Sequence, residues 1–404
     1  MKNYIFVLFC LVSITSQSQS TKKFHYKAIL VDTHNDVLSS SVLEGKDISH
    51  RLSFGHSDLD RWKEGGVDVQ FFSVWTDKTS RNKEGFFKDA NQEIDSLEVL
   101  VLKNYQRMTL ATTYSEVKKS IRQNKFTALI GVEGGHMIED DLNKLEELYH
   151  RGMRYMTLTW NNSTSWATSA KDETDASISP PPIGGETFGD SSRRRGLNEF
   201  GKQVVRKMNE LGVIVDLSHT GEQTFYDAIA TTTKPVLLSH SSVWNICPVF
   251  RNIKDEQIKA VAQNGGVICI NFYSGFISKE YDQRSSFLNG PGKKVIQDSL
   301  ISYWHDSAAM KTQWQKYYDT EMNKVRPTLS QLVDHIDYIV KLVGDDFAGI
   351  GADYDGVGSL PVGLEDVTMY PKITEELIRR GYSNKSIKKI LGGNVLRVMK
   401  ADFK

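Results

Sequence analysis

Apolar residues along this chain fall into two alternating textures. Near-continuous apolar runs of strand length recur eight times, at 27–34 (KAILVDTH), 67–75 (VDVQFFSVW), 126–134 (FTALIGVEG), 153–160 (MRYMTLTW), 212–219 (GVIVDLSH), 234–241 (KPVLLSHS), 265–273 (GGVICINFY) and 347–356 (FAGIGADYDG). Runs this apolar read as strands buried on both faces. Between them, NQEIDSLEVLVLKNYQRM, DDLNKLEELYHRGM, NEFGKQVVRKMNELG, EQTFYDAIA, KDEQIKAVAQNGG and LSQLVDHIDYIVKLVGDD repeat apolar residues at three- and four-residue spacing, as amphipathic helices do. Eight strands alternating with helices predict an α/β fold, a (β/α)8 TIM-type barrel.

Two stretches exceed the minimal barrel. Residues 171–198, after the fourth strand, are rich in Pro, Gly, Ser and charge and predict a long loop. Residues 277–327, after the seventh, carry the aromatic-rich SYWHDSAAMKTQWQKYYDTEM, which reads as one or two helices over the barrel mouth. Both insertions follow strands, which places them on the C-terminal face where barrel enzymes keep their sites. No linker divides residues 21–404, so they read as one domain.

Charge and termini narrow the setting. Lys+Arg and Asp+Glu both number 50, and no basic run exceeds Arg193–Arg195, which argues against nucleic acid or an anionic membrane as the main partner. The first 20 residues, a lysine followed by the apolar run Ile5–Ile14 and small polar residues, have the layout of a secretory signal peptide and are short for a membrane span. Phe9 is bulky where lipid attachment at Cys10 wants a small residue, so the reading is cleavage near residue 20 and an exported, periplasmic or secreted chain with no transmembrane segment. Cys247 and Cys269 then remain, both in apolar surroundings, and read as buried thiols rather than a disulfide.

The polar residues that end the predicted strands carry the chemistry. His34 and Asp36 end the first strand, and side chains two apart on a strand share a face. Glu133 ends the third, His219 the fifth, His240 the sixth, and Asp353 with Asp355 the eighth. In a parallel barrel these converge on one rim. Alone, a histidine there serves as a satisfied core residue and an aspartate as a helix cap; together they supply the nitrogen and oxygen ligands zinc favours, enough for two Zn2+ ions. A central carboxylate such as Glu133 is able to bridge ions roughly 3.5–4 Å apart. His136, after Gly134 and Gly135, reads as a residue beside the ligands, and His25, His50, His56, His150, His305 and His335 as structural or surface.

The ordered set THND, VEGGH with RGMRYMTLTW, GVIVDLSH, PVLLSHSS with RN eleven residues beyond its histidine, and GIGADYDG with GLEDV and GNVLRV resembles the membrane (renal) dipeptidase family, zinc peptidases of the amidohydrolase superfamily, from about residue 27 to the end. The resemblance implies one zinc on His34 and Asp36, another on His219 and His240, and Glu133 bridging. It implies that Asp353, first in its D-[FY]-D-G motif, moves the proton of the attacking water to the departing amine, and that Arg251 binds the carboxylate of a dipeptide. Asp355 reads as support, and a homodimer is implied. A water shared by two zinc ions is acidic enough to attack an amide near neutral pH without a protein nucleophile.

One position departs from the family. Where its pattern has LTH, this chain has LTW, so Trp160 replaces an imidazole facing the reacting carbonyl with an indole that donates one hydrogen bond and cannot exchange a proton. Trp160 then narrows the pocket or stacks on a substrate side chain. A related hydrolase of cyclic amides, lactones or N-acyl amino acids would keep the metal ligands and Asp353 and dispense with Arg251. A peptide-binding protein without turnover would have no use for Asp353.

Overall fold

The computed structural model describes residues 21–77, 83–174, 196–301 and 307–403. Residues 1–20 with Cys10, on which the signal-peptide reading falls, most of the loop 171–198 with Arg193–Arg195, and His305 lie outside the described residues. All eight predicted runs contain strands, each shorter than its run: β1 (Val31–Asp32), β2 (Val69–Val74), then β4 (Phe126–Glu133), β5 (Met153–Thr157), β6 (Ile214–Asp216), β7 (Leu237–Ser241), β8 (Val267–Ile270) and β9 (Ala348–Ile350). An unforeseen β3 (Met108–Leu110) also forms. Pairing is parallel throughout, in the order β1-β2-β4-β5-β6-β7-β8-β9 and back to β1. This closes the eight-stranded barrel. β3 stays outside the ring, pairing with the first residues of β4 on the edge that β5 takes farther along.

Alternation along each strand builds two cores. On β2, Val69 and Phe71 face the barrel interior with Leu129, Tyr155, Ile214, Leu237 and Val267, whereas Phe72 and Val74 face the helical layer. The interior face changes character along the strands: Val69, Phe71, then Ser73 on β2, and Leu129, Gly131, then Glu133 on β4. Apolar side chains dominate the lower barrel, and the charged ones arrive at the C-terminal ends. The last helix, Asn394–Asp402, packs Val395, Val398 and Met399 into the interior set.

The predicted helices form with their own caps. Leu329–Val343 opens with a capping box between Thr328 and Gln331, and Glu199–Leu211 starts on the Asn198 side chain and ends at Gly212 in the left-handed region, φ 84. Among the described residues the second insertion contains three helices, Lys279–Asn289, Pro291–Ile301 and Ser307–Lys324, the last largely within the predicted aromatic-rich stretch. Tyr281, Leu288, Trp314 and Met322 make its small core, and Tyr273 links that core to the barrel mouth. Cys247 and Cys269 are buried thiols, and burial pushes Cys247 up to about 12. No helix among the described residues is long and apolar enough to cross a membrane.

Candidate metal centre

The strand-end residues meet at one point. His34 Nε2 lies 3.4 Å from both Asp36 Oδ2 and Glu133 Oε2 and 4.0 Å from Asp353 Oδ1. On the other oxygen of Glu133, His219 Nε2 approaches to 2.9 Å and His240 Nε2 to 3.3 Å, and those two nitrogens are 2.9 Å apart. Glu133 thus has one oxygen toward His34 and Asp36 and the other toward His219 and His240. Asp353 is near enough to His34 and Asp36 that these three also form a set able to hold an ion.

The residues arrive partly by turns rather than by regular strand. β1 ends at Asp32, and Asn35 forms a bridge with Tyr354 that seats His34 and Asp36 on the rim. β6 ends at Asp216 and β9 at Ile350, so His219, Asp353 and Asp355 sit in the turns beyond, at φ 65, 63 and 66. Left-handed backbone at three non-glycine residues in one site is strain that surrounding contacts must hold.

Partners behind the imidazoles fix which nitrogen faces the cluster. Ser239 Oγ gives its one proton to Asp216 Oδ2 at 2.6 Å, so it accepts from His240 Nδ1 at 2.7 Å. His219 Nδ1 donates to Asn161 Oδ1 at 3.1 Å. Both Nε2 atoms therefore present lone pairs, the form a metal ligand needs. His34 Nδ1 is 2.8 Å from the Tyr155 hydroxyl, whose ring crosses the barrel over Gly131, where an added Cβ would lie 2.0 Å from it. Ser73 donates to Glu133 Oε2 at 3.2 Å, and Asn271 to Asp353 Oδ2 at 2.8 Å.

Electrostatics agree with a cation-seeking site. Burial, with Arg251 nearby, brings His219 down to about 3, and burial beside His34 holds His240 well below the histidine range. Burial opposes ionisation of Glu133, but His34 and hydrogen bonds from the histidines hold it well below the carboxylate range. His34 is pulled down by burial yet ends well above its ordinary value because the Tyr155 oxygen and the carboxylates of Glu133 and Asp36 surround it. Asp353 is pushed well up by burial and by repulsion from Asp36 and Glu133. His34 Nε2 and Asp36 Oδ1 are buried with no hydrogen-bond partner. These orphaned atoms, beside the two lone-pair nitrogens of His219 and His240 and a central carboxylate, fit a metal ion.

The cluster floors a cavity of about 710 Å³ lined by Trp75, Trp160, Phe250, Arg251, Tyr273 and Phe276 among others. Arg251 is buried; its Nη2 donates to the His240 carbonyl at 3.1 Å, while Nη1 has no partner. Burial brings the guanidinium only to about 10, so it stays charged at neutral pH. Trp160 packs edge-on against Trp75, ring centres 5.0 Å apart, and lies 6.3 Å from the His219 ring. His136 stands aside, bonded to the Thr76 carbonyl at 2.9 Å. His25 and His335 are buried and hydrogen-bonded to Gly65 and Ile277 carbonyls, away from the cluster. His56, by contrast, belongs with the site, because it holds Asp355. The sequence reading missed this residue together with Tyr155, Ser239, Asn161 and Asn271.

Residues 18–403 match a family model described as Membrane dipeptidase (Peptidase family M19). The chain is similar to the crystal structure of the probable dipeptidase PvdM from Pseudomonas aeruginosa, at 24% identity over 95% of this chain and 98% of that one, with TM-score 0.75. It is also similar to a metallo peptidase from Rhodobacter sphaeroides liganded with a phosphinate mimic of the dipeptide L-Ala-D-Ala, at 20% identity over 93% of this chain and 99% of that one, TM-score 0.71. At such identities the likeness speaks for the fold.

Proposed function

Since the chain belongs to the membrane dipeptidase family, we propose that it is a zinc-dependent dipeptidase, cleaving the amide bond of small peptides that end in a free carboxylate. His34 and Asp36 would hold one ion, His219 and His240 the other, and Glu133 both. A Zn2+ pair bound there would supply Lewis-acid polarisation of the carbonyl and a nucleophilic oxygen at neutral pH. The chain's own residues do the rest. Asp353 Oδ1, turned to the cluster while Asn271 occupies Oδ2, takes the proton of the attacking water and delivers it to the departing nitrogen. Its raised proton affinity suits both halves of that transfer. Arg251 Nη1, charged and unpartnered, receives the substrate carboxylate. Trp160 and Trp75 wall the cavity and exclude water from the bond under attack.

The observation that carries this reading is the convergence of His34, Asp36, Glu133, His219 and His240 beside Asp353 and Arg251. Metal analysis of the purified mature chain, with amine release from L,L- and L,D-dipeptides with and without chelator, tests it. About two zincs and chelator-sensitive release are expected; absence of bound metal would overturn it. Trp160, in place of the family's imidazole, favours a second reading in which the same centre hydrolyses lactones or N-acyl amino acids, and metal without dipeptide turnover would select that one. Export with removal of residues 1–20 and a homodimer complete the proposal, and are read from the mature N-terminus and from light scattering.

A further inference from the structure

The loop 54–58 is built around Asp355, a residue to which the mechanism above gives no step. His56 N donates to Asp355 Oδ1 at 2.7 Å, and Asp355 N donates back to His56 Nδ1 at 2.9 Å. The loop is itself rigid: Arg61 donates to the carbonyls of Gly55 and Phe54 at 2.7 and 3.0 Å and pairs with Asp58 at 2.6 Å. It also reaches the first metal-binding segment, since Asn35 Nδ2 donates to Ser57 Oγ at 2.7 Å.

What the loop grips is the turn that carries Asp353. Asp353 and Asp355 both adopt left-handed backbone, at φ 63 and 66, so the turn's shape depends on the contacts around it. Within the turn Asp353 N donates to the His34 carbonyl at 3.2 Å and Asp36 N to the Tyr354 carbonyl at 3.0 Å, so it is tied to the ligands on one side. On the other side the reciprocal pair with His56 holds both the amide and the carboxylate of Asp355. His56 is half-buried, its ring against Tyr354 at 5.7 Å, and Gly55 lets the chain pass close, since an added Cβ would sit 3.0 Å from Asp355 Oδ1.

We propose that His56 is a positioning residue: its ring Nδ1, accepting from the Asp355 amide beside the main-chain bond from His56 N to Asp355 Oδ1, fixes the direction in which Asp353 offers its carboxyl to the cluster. This rests on the reading of Asp353 as the proton carrier. Orientation errors of an ångström at a reacting group cost about a hundredfold in rate, so the clamp acts on turnover rather than on substrate binding.

The test compares His56→Ala, His56→Asn and Asp353→Asn in the full mature chain, reading kcat and KM for a dipeptide, metal content, and hydrogen exchange of the peptide spanning 351–358. In His56→Ala, kcat falls by about ten- to a hundredfold, KM and metal content hold, and exchange at 351–358 accelerates. In His56→Asn, whose side-chain oxygen can accept the Asp355 N–H, both rate and protection largely return. Wild-type turnover and unchanged exchange in His56→Ala, beside an inactive Asp353→Asn, would overturn the clamp and leave the functional reading standing. A wild type inert on dipeptides would overturn the functional reading instead, and the exchange data would then decide the clamp alone, acceleration supporting it and no change refuting it.

Discussion

Ser239→Ala removes one hydroxyl from behind His240. Asp216 receives four hydrogen bonds, from Ser239 N at 2.8 Å and Ser218 N at 3.2 Å on one oxygen and from Thr157 and Ser239 hydroxyls, both at 2.6 Å, on the other. Losing one of four buried bonds costs about 1–2 kcal/mol of stability. The second effect falls on His240, whose Nδ1 proton loses its acceptor, so the tautomer with Nε2 protonated becomes competitive and the lone pair no longer points reliably into the cluster. Removal of such an outer partner weakens metal binding by about ten- to a hundredfold. Thr157→Val supplies the control, because it takes a donor from the same Asp216 oxygen without touching His240. Both variants should lose stability in urea, Ser239→Ala the more because His240 Nδ1 also loses its acceptor, but only Ser239→Ala should give up its metal at lower concentrations of a competing chelator. Equal metal retention in the two would refute the tautomer argument.

Arg251→Met removes the unpartnered Nη1 and should lower kcat/KM for dipeptides by about ten- to a hundredfold, the worth of a charged hydrogen bond, while leaving carboxyl-amidated substrates unaffected. Gly131→Ala would place a Cβ 2.0 Å from the Tyr155 ring, so thermal melting should show a loss of about 1–3 kcal/mol. Asp402 is buried with both oxygens unpartnered, and burial, against the pull of Lys234, raises it from 3.8 to about 7. The native state then holds its proton more tightly than the unfolded chain, so Asp402's contribution to stability falls as pH rises from about 4 to 7, with an upper bound of about 4 kcal/mol at roughly 1.4 kcal/mol per unit. Urea midpoints at pH 5 and pH 8 should accordingly lie closer together in Asp402→Asn than in wild type.

The barrel was legible because strands buried on both faces leave unbroken apolar runs. β3 was not, since three residues after a helix make no pattern. The residues that meet at the rim were legible because polar residues ending apolar runs stand out. Their partners were hidden for different reasons. Tyr155 lies inside an apolar run and looks like barrel filling; that its hydroxyl reaches His34 depends on Gly131 on the neighbouring strand, a matter of register between strands. Ser239 directly precedes His240 and in a regular strand would face away from it, but the pairing of β7 with β8 shifts between Leu238 and Ser241. Two-residue alternation likewise could not place Asp353 and Asp355, which lie past the strand in left-handed turns. His56 is nearly three hundred residues from its partner, and no local signal joins them.

The last helix has a bearing on how the chain comes to be made. Val395, Val398 and Met399 share one cluster with Val31, and Gly392 passes so close to the first strand that an added Cβ would lie 2.6 Å from the Ile29 carbonyl. A ribosome delivers these two segments far apart in time, so the lower barrel stays unsealed until the helix Asn394–Asp402 has emerged. Contacts of such sequence separation form late. A barrel whose interior set draws on a helix so far along the chain cannot finish packing before that helix arrives, and deleting residues 394–402 should leave the lower barrel loosely packed.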